Sequence, residues 1–78
     1  MPTILSVNGF RFFFYSNDHL PIHIHIEKGG ATAKFNLMPL EFVKSNKFSA
    51  KDLKEIRLII EDNTNFLMEK WNEYFNNN

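Results

Sequence analysis

The chain opens on two stretches rich in β-branched and aromatic residues, 3–7 and 10–15, joined by Asn8-Gly9. Both turn residues tolerate positive φ, which a type I′ hairpin requires, and both flanks are strand formers. A two-residue loop sets Val7 opposite Phe10, Leu5 opposite Phe12 and Thr3 opposite Phe14 on one face. The other face pairs Ser6 with Arg11 and Ile4 with Phe13, and continues to Tyr15. Residues 22–27 then alternate isoleucine with histidine or glutamate, and Gly29-Gly30 supplies a second hairpin turn. Pairing Lys28 with Ala31 puts Ile26 by Ala33, Ile24 by Phe35 and Ile22 by Leu37. The reverse face pairs Glu27 with Thr32, His25 with Lys34 and His23 with Asn36. A slip of one residue would mix the two sets, so the pattern fixes the register.

Between the hairpins, Ser16-Asn-Asp-His-Leu-Pro21 is a turn-forming connection. Met38-Pro39 interrupts the ladder, since proline donates no hydrogen bond, and residues 42–44 read as a short edge strand or an irregular return. Ser49-Ala-Lys-Asp52 reads as a helix start, with the Ser49 hydroxyl on an orphan amide and Asp52 in the first turn. Phe48 and Leu53 fit a hydrophobic staple. The helix is expected to run to Tyr74 or Phe75, with Asp62-Asn-Thr-Asn65 as its weakest stretch and a place to kink. Residues 76–78 read as a frayed end.

These elements predict one α+β domain over residues 1–78: a small twisted antiparallel sheet of two hairpins with a short edge strand, and one long C-terminal helix packed on one face. The helix carries apolar residues over more than half its circumference, wider than packing on a sheet uses. Either a curled sheet cradles it deeply, or it also meets a second copy or a small partner protein.

With 78 residues the core is small, and no cysteine is present to staple it. A secreted domain of this size would usually need disulfides, so a reducing cytoplasm is expected. Nothing at the start resembles a signal peptide, and no stretch approaches a membrane span. The 9 basic and 9 acidic residues balance to zero, unlike a high-affinity nucleic-acid binder. Residues 1–60 are mildly basic and residues 61–78 acidic, as a solvated helix face would be.

The face left open by the helix carries Arg11, Phe13, Tyr15, His23, His25, Glu27, Thr32, Lys34 and Asn36. A polar open face is ordinary in antiparallel sheets, but two histidines, an arginine and two aromatics are a less ordinary set. Three readings follow. In the first, the face binds or cleaves RNA. Phe13 and Tyr15 stack bases, Arg11 and Lys34 meet phosphates, and His25, His23 and Arg11 serve as base, acid and cation of a metal-free cleavage. Lys34 opposite His25 disfavours the imidazolium, while Glu27 pulls the other way. In the second, His19, His23 and His25 hold a catalytic zinc with an open fourth position, with Asp18 or Glu27 as substitute oxygen ligands. Lys34 is a poor neighbour for a dication. In the third there is no chemistry and no cofactor: the histidines orient residues 18–21 by hydrogen bonds, and the face docks a protein through anchors such as Arg11 or Tyr15.

The run Phe13-Phe-Tyr-Ser-Asn-Asp-His-Leu-Pro-Ile-His-Ile-His25 resembles the signature of a family of small bacterial proteins, the domain of unknown function family numbered 4160. Ala33-Lys-Phe, Pro39-Leu-Glu41, Phe48-Ser and Trp71-Asn-Glu-Tyr-Phe75 are similar to that family too. Its pattern usually has proline where this chain has Ile22, which leaves His19, Pro21, His23 and His25 in place. The resemblance implies a small protein that stands alone or beside other small genes in toxin–antitoxin-like arrangements. It therefore favours an RNA-directed or partner-bound component.

Overall fold

The computed structural model describes residues 3–76; Met1, Pro2 and the last two residues of the expected frayed end lie outside them. Five strands form one antiparallel sheet in chain order: β1 (Thr3–Val7), β2 (Phe10–Phe13), β3 (His23–Lys28), β4 (Ala31–Leu37) and β5 (Leu40–Asn46). Two helices follow, α1 (Ala50–Asp62) and α2 (Thr64–Asn76).

Both hairpins close as the pattern predicts. Asn8 and Gly9 take φ of 52° and 85°, and Val7 pairs with Phe10 and Leu5 with Phe12. The β3–β4 register, from His23 opposite Asn36 to Lys28 opposite Ala31, is the expected one at every position. The two hairpins join through β2 and β3, which set Arg11 opposite Glu27 and Phe13 opposite His25.

Three expectations are corrected. Thr3 pairs with Phe13 rather than Phe14, because the register shifts between Thr3 and Leu5. A bulge turns its strand in this way, and Thr3 reaches the polar face, where its hydroxyl accepts from Arg11 Nη1 at 3.2 Å. The fragment expected over 42–44 is a full strand of seven residues. Pro39 falls in the two-residue connection between β4 and β5, where a missing N–H removes no ladder bond. The sheet is therefore a five-stranded meander rather than two hairpins and a fragment.

The single long helix is two helices, broken at Asn63. The Asn63 backbone N–H donates to the Ile60 carbonyl at 3.0 Å, and its Nδ2 donates to the Ile59 carbonyl at 2.7 Å. The Thr64 hydroxyl also donates to the Ile60 carbonyl, at 2.8 Å. These bonds occupy carbonyls that a helix end leaves orphaned. The Asn63 carbonyl in turn accepts from Leu67 N at 2.9 Å, which starts α2. At the other end of α1, Ser49 caps as predicted, its Oγ accepting from Asp52 N at 3.1 Å.

The core lies between the apolar sheet face and the helices. Phe10, Phe12, Phe14, Ile24, Ile26, Phe35 and Leu37 pack on Ile56, Ile59 and Ile60 of α1 and on Leu67 and Trp71 of α2. Breaking the helix lets each half aim its own stripe at the sheet, which absorbs most of the surplus apolar circumference. Leu58, Phe66 and Tyr74 stay exposed. Among the described residues, no helix is long and apolar enough to cross a membrane.

Candidate functional site

The connection after β2 folds back over the start of β3. Asp18 N donates to the Tyr15 carbonyl at 3.1 Å, and the Asp18 carboxylate accepts from Tyr15 N at 2.9 Å. This closed turn aims the carboxylate at β3, where His23 and His25 project from one face because strand side chains alternate. His23 Nε2 lies 3.1 Å from Asp18 Oδ1, and His25 Nε2 lies 3.2 Å from Asp18 Oδ2. One carboxylate thus joins both imidazoles. Burial raises the Asp18 pKa, but the Tyr15 amide and the two histidines outweigh it and leave the carboxyl below its usual range.

His23 was expected on an open face and is instead buried. Trp71 of α2 packs against it, ring centroids 5.2 Å apart, while also meeting Phe14 at 5.3 Å. The Nδ1 of His23 donates to the Pro21 carbonyl at 2.7 Å. Both ring nitrogens are therefore engaged.

His25 keeps more freedom. Desolvation lowers its pKa, with help from His23 and Lys34, against the opposing pull of Asp18. The neutral ring donates Nε2–H to Asp18, and Nδ1 keeps a lone pair that can accept a proton. Tyr15 stands edge-on to His25 at 4.5 Å, and Phe13 stacks on it at 5.6 Å.

Next to His25 the open face hollows into a groove of about 330 Å³, with Phe13, Tyr15, Lys34, Lys44 and Asn46 in its lining. Lys34 of β4 sits directly opposite Lys44 of β5. Neither forms an ion pair among the described residues.

The expected site residues thus separate into groups. Tyr15, Phe13, His25 and Lys34 share the groove, although Phe13 is buried and only Tyr15 is open to a stacking base. Arg11 is committed elsewhere: its Nε donates to Glu27 Oε1 at 2.9 Å and its Nη2 at 2.6 Å. Its guanidinium lies 4.1 Å over the Phe13 ring. Arg11, His23 and His25 therefore do not converge with free groups on one point. His19 is exposed and turned to the Asn17 carbonyl at 3.4 Å. Among the described residues, the group whose ligating atoms come together is Asp18, His23 and His25, all within 4.8 Å of one another.

Sequence reasoning missed Lys44, because the β5 register carried no alternation to read. It named Asp18 as a substitute ligand and, in the reading without chemistry, as part of the loop that the histidines orient by hydrogen bonds, which the His23 and His25 contacts to Asp18 and Pro21 match. The signal for Asp18 was its place in a turn-rich segment between two strands that had to pair.

Neither the curated proteins nor the solved structures return a match. A family model does, over residues 9–72, from the first hairpin turn into α2. By that match, which spans β2 to β5, the Asp18 turn, both strand histidines and Trp71, the chain belongs to the family described as a domain of unknown function, DUF4160.

Proposed function

We propose that this chain binds single-stranded RNA in the groove on the open face of its sheet, as the RNA-directed component of a toxin–antitoxin-like pair in the cytoplasm. The carrying observation is the Lys34–Lys44 pair. Like charges directly opposite each other on neighbouring strands are destabilising, and among the described residues neither lysine has an ion-pair partner. A phosphate would offset both. Tyr15, 41% exposed, stands at the same groove and offers a ring for a base to stack on. The chain's zero net charge fits a local contact with one or two phosphates rather than an extended electrostatic footprint.

The reading is one of binding. Cleavage without a metal needs a base, an acid and a cation at one phosphate, and here Glu27 holds Arg11 while His23 has both nitrogens engaged.

An NMR titration of metal-stripped, labelled protein with a short mixed-sequence RNA at low salt tests it. Shifts should cluster at Tyr15, His25, Lys34 and Lys44. Absence of shifts at about millimolar RNA, roughly tenfold above the weak end of non-specific dissociation constants, would rule it out.

A second reading, a protein-interaction module, draws on exposed Leu58, Phe66 and Tyr74 of the helices. Concentration-dependent self-association weakened by Phe66→Lys would favour it over the groove.

A further inference from the structure

The Asp18–His23–His25 cluster has geometry that its internal hydrogen bonds do not fully explain. His23 presents both ring nitrogens to oxygen, Nδ1 to the Pro21 carbonyl at 2.7 Å and Nε2 to Asp18 Oδ1 at 3.1 Å. A carbonyl only accepts, so Nδ1 carries the hydrogen. A neutral imidazole has one donor, so Nε2 then aims a lone pair at a carboxylate. With Asp18 ionised, as its lowered pKa keeps it, two arrangements remove that conflict: a second proton on the ring, or a cation held between Nε2 and the carboxylate.

The distances favour the cation. Charge-assisted N–H···O⁻ bonds close to about 2.7–2.9 Å. Here the Nε2–carboxylate separations are 3.1 Å for His23, and 3.2 and 3.3 Å for His25. With metal–ligand bonds of about 2.0–2.1 Å, neighbouring ligand atoms of a tetrahedral zinc lie roughly 3.3 Å apart. The contacts are long for charge-assisted hydrogen bonds and close to a zinc edge.

The surroundings follow the same logic. Histidine ligands normally donate their other nitrogen to a carbonyl or carboxylate, which fixes the tautomer and aims the ligating atom. The Pro21 carbonyl does this for His23. Ligating carboxylates are themselves held by hydrogen bonds, as Asp18 is by the Tyr15 amide. Two imidazoles and one carboxylate form a donor set suited to zinc and its first-row neighbours, and unlike the all-oxygen sets of magnesium or calcium.

From this geometry we infer that Asp18, His23 and His25 form a three-ligand site for a divalent first-row metal ion, zinc by preference, with a coordination position left for a small ligand. Metal binding moves the His25 proton from Nε2 to Nδ1, so that Nε2 can ligate. His25 belongs both to this cluster and to the wall of the groove that Lys34 and Lys44 also line. Those lysines repel a bare dication but favour an anion as its last ligand. His19 takes no part.

The inference does not depend on the RNA reading, and its test contains no RNA. Zinc chloride is titrated calorimetrically into the untagged, metal-stripped full chain near neutral pH, and cobalt(II) is followed by its visible absorption. One ion per chain is expected, with the intense d–d bands of a low-coordinate cobalt site. Asp18→Asn and His25→Gln should each weaken zinc by about 100-fold or more while keeping the wild-type circular dichroism. His19→Ala should bind as wild type does. His23→Ala is avoided because Trp71 packs on that ring. Folded wild type with neither heat nor cobalt bands would overturn the site. So would undiminished binding in folded Asp18→Asn and His25→Gln, or an equal loss in His19→Ala. In those cases, ring-nitrogen shifts showing hydrogens on both nitrogens of His23 would assign the cluster to an ion pair.

Discussion

Lys34 and Lys44 face each other across β4 and β5, at the groove that also holds Tyr15 and His25. Two cations placed this way cost stability in the free chain and become useful only when an anion arrives. Lys44→Glu converts the pair to opposite charges. It should raise stability by about 0.2–1 kcal/mol, the range for such cross-strand pairs, and abolish RNA binding. Urea unfolding and fluorescence anisotropy with labelled RNA read the two effects separately. Wild-type RNA affinity in Lys44→Glu would move the binding surface away from the groove.

The same pair sets the salt dependence. Two lysines neutralising two phosphates of a single strand give a slope of about −1.4 for log K against log salt, at about 0.7 per phosphate. A slope several times steeper would mean contacts beyond the groove.

Trp71 walls both Phe14 and His23, so α2 supports the histidine cluster as well as the core. Trp71→Ala should cost about 3–5 kcal/mol, as large aromatic truncations in cores do, and in a domain this small it should leave little folded protein. Trp71→Phe keeps part of the contact and should cost less. In that variant the ring resonances of His23 should shift more than those of exposed His19.

How much of this was legible follows from what each element had to hide. The β3–β4 register was readable because Ile22, Ile24 and Ile26 are on the core side while His23, His25 and Glu27 are not, and only one pairing keeps the sets apart. β5 was not readable, since an edge strand whose residues are nearly all exposed carries no imprint of burial. The helix break was legible as a weak stretch at Asp62-Asn-Thr-Asn65. Its sharpness was not, because that depends on Asn63 and Thr64 capping the Ile59 and Ile60 carbonyls. The histidine face was found, but its burial was not. No periodicity links Trp71 to His23. The hydrogen bonds between the histidines and residues 18–21 were anticipated, but nothing in a turn-rich loop singles out Asp18 as the residue that meets both rings.

Ser49 tests the start of α1 by itself. Its hydroxyl accepts from Asp52 N at 3.1 Å, and removal of an N-cap side chain costs about 1 kcal/mol. Ser49→Ala should lower the urea midpoint accordingly with an unchanged slope. Ser49→Asp, which restores an acceptor and adds a charge suited to a helix N-terminus, should recover the loss.

The cluster also makes the metal-free chain acid-labile. The His25 pKa is lowered in the folded protein from the ordinary 6.5, by burial first, with His23 and Lys34 adding to it and Asp18 opposing. Between its folded value and 6.5 the unfolded chain binds more protons than the folded one, so stability rises with pH through that window. The His25 contribution is complete above 6.5 and is lost as pH falls to the folded value. Asp18 acts in the same direction at lower pH, because its pKa is held below 3.8 when folded. Its contribution is present above 3.8 and is lost as pH falls through the folded value. Urea unfolding in a chelator, from about pH 8 down to about pH 5, should show stability falling towards acid. In His25→Gln, which does not titrate, that slope should flatten, and a continuation of the series below pH 3.8 should still show the Asp18 loss. A flat wild-type profile over the upper window would mean that His25 titrates alike in the folded and unfolded chains, and that the ring is not desolvated between Phe13, Tyr15 and Asp18.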